Sequence, residues 1–340
     1  MFELLKYPSL LIMSREKSFE GMGRLIGKTG KTISRWLSRD CEYYNTIMNM
    51  MTEIYSNTKE LYLIFDETLS RKLYSENIEG CGFFYETKLY RRIKAFKMLV
   101  AMLSDGKKAL PFLSTFLFSK ELYPDKYISK YEYVQKIIML ILNKFPHAQL
   151  TIVVDGGFCT KDFLRWCTDN NIRIETRIRC NAKVVYKKAE FALSEIKKLK
   201  PKGHQMARTI HAFWDGIPVF ITAQRRIDKH NNETIVYQVA TFQAKPSQHV
   251  KIYKFRWSIE ESFRTEKQKL GLQNCTARNL QVQQNHVAAV LLAYCLAQLD
   301  RKKQKLKSPD QAIRAAERKN ASAWIPFINR LDHLIRDVYV

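Results

Sequence analysis

The sequence predicts an α/β chain built on a mixed sheet flanked by helices. Four observations carry that expectation. The run QLTIVVD at residues 149–155 is rich in β-branched apolar residues, as a strand covered on both faces requires. Residues 126–145 place Tyr131, Val134, Ile137, Ile138, Ile141 and Leu142 at three- and four-residue steps, the period of a helix with one apolar face. Residues 61–70, LYLIFDETLS, read as a short apolar strand that ends at Asp66. The Asp105–Gly106 pair then signals a hairpin between residues 96–103 and 108–118.

Bulk composition narrows the partner. The 340 residues suffice for two or three domains with real cores. The chain carries 57 Lys and Arg against 33 Asp and Glu, a formal charge of +24, which suits a partner with many phosphates. The longest apolar run, residues 287–299, is too short to span a bilayer, and the N-terminus lacks a secretory signal pattern, so no membrane partner is expected. Seven scattered cysteines include no CxxC pair, and the histidines show no metal-ligand spacing. A reducing cytoplasm and oxygen-ligated magnesium or manganese, rather than zinc, are the expectation.

Taken in order, residues 19–26 and 31–38 read as two short helices around a Gly27–Gly30 turn, with Ile33, Trp36 and Leu37 inward. Lys31 and Arg35 would then lie near DNA, in a helix-turn-helix spacing; a solvated all-α subdomain is the alternative. The strand of residues 149–155 ends in Asp155–Gly156–Gly157, where two glycines let the backbone turn away and leave the carboxylate at the sheet's edge. Residues 159–170 follow as a helix, and strand, carboxylate, loop and helix is where α/β folds place chemistry. Residues 171–245 read as mostly β. In residues 172–178, isoleucines and Thr176 alternate with Arg173, Glu175 and Arg177. Trp214, Arg225 and Arg226 make this segment a possible DNA surface, with an exposed tryptophan able to stack on an unpaired base; a packed hairpin tryptophan is the alternative reading of Trp214. Residues 243–248 are read as a linker, and residues 285–300 as an apolar helix.

The densest chemistry lies in residues 253–270, YKFRWSIEESFRTEKQKL. Read as one helix, Tyr253, Arg256, Glu260 and Lys267 fall on one narrow arc, at offsets of 3, 7 and 14 residues. Phe255, Ile259, Phe263 and Leu270 form the neighbouring apolar stripe. Asp66, Asp155 and Glu260 are thus three acids on three elements. Such a trio can hold two divalent ions for an in-line displacement at phosphorus.

Here the chain resembles a known family. Tyr253, Arg256, Glu260 and Lys267 match Y-x2-R-x3-E-x6-K, the signature of the IS4-like, Tn5-type insertion-sequence DDE transposases, and FRWSIEESFR and KLGL are similar to that family as well. The resemblance implies an RNase H-like mixed-sheet core interrupted by a β-rich insertion, preceded by a small helical region. The corresponding divisions are residues 1–55 (end-binding helices), 56–170 and 249–310 (core), 171–248 (insertion) and 311–340 (helical tail). It implies cut-and-paste DNA transposition with Mg²⁺, or Mn²⁺ in its place, held by Asp66, Asp155 and Glu260. Tyr253, Arg256 and Lys267 would contact phosphates, with Arg264 a further cation on the DNA. The partners would be double-stranded terminal inverted repeats and target DNA, bridged by a homodimer. A two-metal nuclease that does not join ends, or an inactive DNA-binding remnant, are the alternatives.

Overall fold

The structure, a computed structural model, describes residues 1–73, 77–228 and 230–339. Positions 74–76, 229 and 340 fall in the expected core, insertion and tail and lie outside the described residues. Four helices open the chain: α1 (Phe2–Met13), α2 (Phe19–Leu25), α3 (Gly30–Leu37) and α4 (Tyr43–Ile54). Ser18 and Thr29 cap α2 and α3 by accepting the backbone N–H of Gly21 and Thr32. Between them Gly27 takes φ +66°, a conformation that costs glycine nothing. Ile33 and Leu37 are buried, Trp36 is half-buried, and Lys31 and Arg35 are exposed.

Then come β1 (Glu60–Arg71), β2 (Gly82–Glu86), β3 (Arg91–Ser104), β4 (Ala109–Leu117), α5 (Lys130–Lys144), β5 (Gln149–Val154), α6 (Lys161–Asp169) and β6 (Arg173–Ile178). Five more strands follow: β7 (Lys183–Tyr186), β8 (Ala189–Ala192), β9 (Ala207–Trp214), β10 (Ile217–Ile227) and β11 (Glu233–Ala240). The chain closes with α7 (Pro246–Lys254), α8 (Trp257–Gln268), α9 (Leu280–Lys303), α10 (Pro309–Glu317) and α11 (Trp324–Arg336).

The described strands make one mixed sheet in the order β2-β3-β1-β5-β6-β11-β10-β9-β7-β8, with β4 also paired to β3. β1, β5 and β6 are mutually parallel, and β3 is antiparallel to β1. This mixed α/β architecture is compatible with an RNase H-like transposase fold. Two expectations change. β6 lies inside residues 171–248 yet pairs in parallel with β5, so it is a strand of the central sheet. β11 then pairs antiparallel with β6, and the remaining strands prolong the same sheet. The segment read as a linker already contains the start of α7, because Pro246 sits at a position where its missing N–H is harmless and its φ is helical.

Side-chain alternation gives the central strands two apolar faces. Leu61, Leu63, Phe65, Ile152 and Val154 pack into the large core with α5 and α9. Ile64, Val100, Met102 and Val153 pack beneath Tyr253, Ile259 and Phe263 of α7 and α8. The middle of α9 is apolar all round and buried at every residue from Val287 to Ala297, as a helix segment enclosed by protein must be. Among the described residues no helix is long and apolar enough to cross a membrane. The N-terminal helices do not stand apart from the C-terminal ones. α1 contacts α9, α10 and α11, Trp36 stacks on Trp324, and Asn285 donates to the carbonyls of Leu37 and Arg39 at 2.7 and 2.9 Å.

Residues 253–270 form two helices rather than one. Phe255 and Arg256 keep right-handed dihedrals, but their N–H groups reach back only three residues, to Ile252 and Tyr253, so the turn tightens where α7 meets α8. Beyond α8, Gly271 takes φ +72°, and a Cβ there would stand 2.6 Å from the Cβ of Lys17. Lys17 is buried and held by Leu11 O and Glu317. Gly271→Ala is therefore expected to cost about 2 kcal/mol or more, from backbone strain and overpacking together. Urea titration at fixed pH measures it, and an unchanged midpoint would mean that the loop after α8 and the α1–α2 loop at Lys17 can part without loss.

Candidate active site

The parallel register sets Phe65 of β1 opposite Val154 of β5. The next residue on each chain, Asp66 and Asp155, therefore comes level on adjacent strands, which run about 4.8 Å apart. Both follow Ile64 and Val153 by two residues and so face α8. Asp66 is not at a strand's end: β1 continues to Arg71, held by β3 alone once β5 has stopped at Val154. Its Oδ1 accepts the N–H of Glu67 at 2.8 Å. Asp155 caps the turn after β5, its Oδ1 accepting the N–H of Gly157 at 2.7 Å.

Glu260 lies in the first turn of α8. Arg256, four residues earlier, donates to Glu260 Oε1 and stands 3.5 Å from Asp66 Oδ2. One guanidinium thus ties the helix carboxylate to the strand carboxylate, with the Arg256 side chain 15 % and the Asp66 side chain 19 % exposed. Burial pushes the Asp66 carboxyl up to about 6; the charges of Asp155 and Glu260 push the same way, against the Glu67 N–H and Arg256. Of the adjoining acids, Glu67 lines the same cleft as Asp66 and Asp155 but is paired with Lys97 and Lys130, and Glu261 lines a separate depression. Among the described residues no three His, Cys, Asp or Glu side chains form a ready metal-binding group. The donor chemistry nevertheless fits a hard divalent cation. Three carboxylates act on one point, where their repulsion already raises Asp66, and a cation would relieve that repulsion.

Cations gather on both sides of these acids. Tyr253 is buried with its hydroxyl unpartnered, and burial raises its pKa. The guanidiniums of Arg177 and Arg256 stand 5.5 and 5.8 Å from its ring centre. Arg226 belongs to the same group: burial lowers its pKa, and repulsion from Arg177 and Arg256 adds to that. Beneath them, fully buried His249 of α7 and Glu175 of β6 meet at 2.6 Å, fixing α7 on the sheet. Burial pushes Glu175 up to about 7, with His249 opposing. On the other side, Asp66, Asp155, Lys88, Lys97, Lys130 and Lys267 line a cleft of about 700 Å³. Burial lowers the pKa of Lys267 there.

The other expected DNA contacts are placed differently. Trp214 is packed in the core, 9 % exposed, so its ring offers no face for stacking. Its place explains this, because Trp214 pairs with Ile217 across the tight turn closing β9 and β10. Arg225 is spent within the protein: it donates to Gly203 O at 2.6 Å and Pro201 O at 3.1 Å and pairs with Glu233 at 3.0 Å. Arg264 is exposed and lines the depression that holds Glu261, not the acid cleft. Lys31 and Arg35 lie on α3 and line neither. Arg177 was not singled out by sequence, because strand alternation turns its charge toward solvent. Only the parallel pairing of β6 with β5, which sets Thr176 opposite Val154, brings it beside Asp155.

No curated protein matches the chain. Residues 132–296 match the family described as Transposase DDE domain, a stretch that runs from α5 into α9 and holds Asp155 and Glu260. A transposase domain implies DNA binding, and enzymes with a DDE domain depend on divalent metal ions. With level aspartates, a glutamate joined to them through Arg256, and cations on either side, the match supports a DDE transposase family for this chain.

Proposed function

We propose that the chain is an insertion-sequence transposase of the IS4-like, Tn5-type branch. It cleaves the ends of its element and joins them to target DNA by a cut-and-paste route. The observation that carries this reading is the level placement of Asp66 and Asp155, with Arg256 linking Asp66 to Glu260. Asp66, Asp155 and Glu260 hold Mg²⁺, with Mn²⁺ as substitute. The bound ions supply activation of a water or 3′-hydroxyl and neutralise charge at the phosphorus. Arg256, Arg226 and Tyr253 grip the backbone on the α7 side, and Lys267 grips it from the cleft side. Charge-assisted bonds to phosphate fix register without reading sequence. Lys31 and Arg35, exposed on α3, contact the terminal repeats, and a homodimer bridges the two ends.

Duplexes cut from the DNA flanking the gene test this reading, incubated with the protein, Mg²⁺ and a target plasmid. Release of 3′-hydroxyl ends followed by their joining to the plasmid is expected. Cleavage without joining would instead make the chain a nuclease. Binding without turnover in either Mg²⁺ or Mn²⁺ would make it a DNA-binding remnant.

A further inference from the structure

A second depression, of about 400 Å³, lies on the opposite flank of α8 from the acids. The β3–β4 turn brings Lys107 and Lys108 to it, α8 brings Arg264, and the end of α9 with the loop beyond brings Arg301, Lys302 and Lys307. Only two carboxylates line it, Glu261 and Asp310. Asp310 is occupied, accepting the Thr265 hydroxyl at 2.6 Å. Among the described residues, Lys107, Lys108, Arg264, Lys302 and Lys307 make no ion pair, and Arg301 keeps a buried Nε without a partner. Three chain segments thus converge to put six cations around one hollow with little internal compensation. Such a concentration is self-repulsive, and an anionic partner relieves it.

The acid cleft and this groove are lined by different residues of α8. Lys267, the α8 residue that lines the cleft, sits within about 40° of Arg256 and Glu260 around the helix axis; Ser258, Glu261 and Thr265 lie on the far side of it, at 100° per residue, and Arg264 stands on the exposed crest between the two flanks. A helix with its side chains is about 10–12 Å across. Lys107 and Lys302 line the groove and not the acid cleft.

We infer that this groove is a second duplex-DNA site, holding the phosphate backbone of a DNA segment other than the one in the acid cleft. The inference rests on the reading of the cleft as a DNA site. Joining one DNA to another brings two duplexes to a single chain, and the groove supplies the second set of phosphate contacts. The contacts are to backbone, since lysine and arginine side chains at a hollow this shallow carry no base code.

The test is binding stoichiometry, measured without metal so that no chemistry intervenes. A random-sequence duplex of about 12 base pairs, too stiff to bend round α8, is titrated into the full chain at low salt. The wild type is expected to bind two duplexes per chain and Lys107→Glu/Lys302→Glu one. The salt dependence of the lost event should have a slope of about −2 to −4, matching two to four neutralised phosphates. Lys97→Glu/Lys130→Glu, in the acid cleft, should lose the other event. Both groove lysines are exposed and make no ion pair, so an unchanged melting curve certifies the fold. One duplex per wild-type chain, or two retained by the groove variant, would overturn the assignment. So would displacement of DNA from the groove alone by polyglutamate at equal charge concentration, which would mark the surface as one for an acidic protein. Because cleavage is not read here, failure of the separate cleavage-and-joining assay by a chain that still binds two duplexes would sink the transposition reading and leave the groove standing.

Discussion

Glu260→Gln is expected to lower divalent-metal-dependent cleavage by about 10³-fold or more while DNA binding stays within about twofold. The substitution keeps the shape of the side chain and an oxygen for Arg256 to donate to, so the tie between α8 and β1 persists. What it removes is the negative charge. A bound ion contributes several kcal/mol of stabilisation where charge develops, and each 1.4 kcal/mol is about tenfold in rate. With one of three anionic oxygens gone, the affinity of the site for a hard cation collapses. Asp66 and Arg256 stay in place, so the phosphate grip survives. Single-turnover cleavage across a range of Mn²⁺ concentrations, beside a binding isotherm in the same buffer, measures both effects. Cleavage within tenfold of wild type would reduce Glu260 to an anchor for Arg256.

Glu266→Gln is expected to change the pH dependence of stability strongly. Glu266 lies on α8, six residues past Glu260, fully buried, and both its carboxylate oxygens lack partners among the described residues. Burial pushes its pKa from the ordinary 4.5 up to about 8, with the nearby Ser262 hydroxyl and the Lys267 charge working against it. A carboxyl raised in the folded state contributes stability that is fully present below pH 4.5 and is lost as pH rises through about 8. At about 1.4 kcal/mol per unit, the loss across that window is on the order of 5 kcal/mol. Glutamine cannot ionise, so the variant should match the wild type near pH 5 and exceed it near pH 9. Urea unfolding at several pH values decides the matter; parallel curves for the two proteins would show that Glu266 ionises with its charge already compensated.

The parts of the site that could be read from sequence were those with strong local patterns. Asp155 stood out because a carboxylate directly after IVV, before two glycines, has few explanations in a buried strand. Asp66 was located, but the strand around it was cut short. Beyond β5 the rest of β1 is held by β3 alone, so its residues need not be apolar, and hydropathy falls while the strand goes on. β2 escaped notice for the same reason: it is an edge strand with Phe83 and Tyr85 exposed, lacking the alternation of a half-buried one. For Trp214 the packed hairpin reading, weighed against stacking on DNA, is the one the structure bears out. Asp215 and Gly216, both at positive φ, form the two-residue turn that an Asp-Gly pair favours, and such a turn makes Trp214 and Ile217 a cross-strand pair. Arg177 could not be placed in this way, because its nearness to Asp155 depends on which strand β6 joins, and no local pattern records that.

The shared sheet has a consequence for how this chain can be altered. β11 pairs with β6 from Glu175 to Ile178, so the acid-bearing strands do not end in a bare edge on that side. Excising residues 179–240 would strip this cover and expose a row of free amides and carbonyls beside a hydrophobic surface, which invites chain-to-chain stacking. The strand-rich segment therefore acts as a permanent hem on the chemistry rather than a detachable accessory, and exchanges between relatives should succeed only when the seam along β6 is carried over intact.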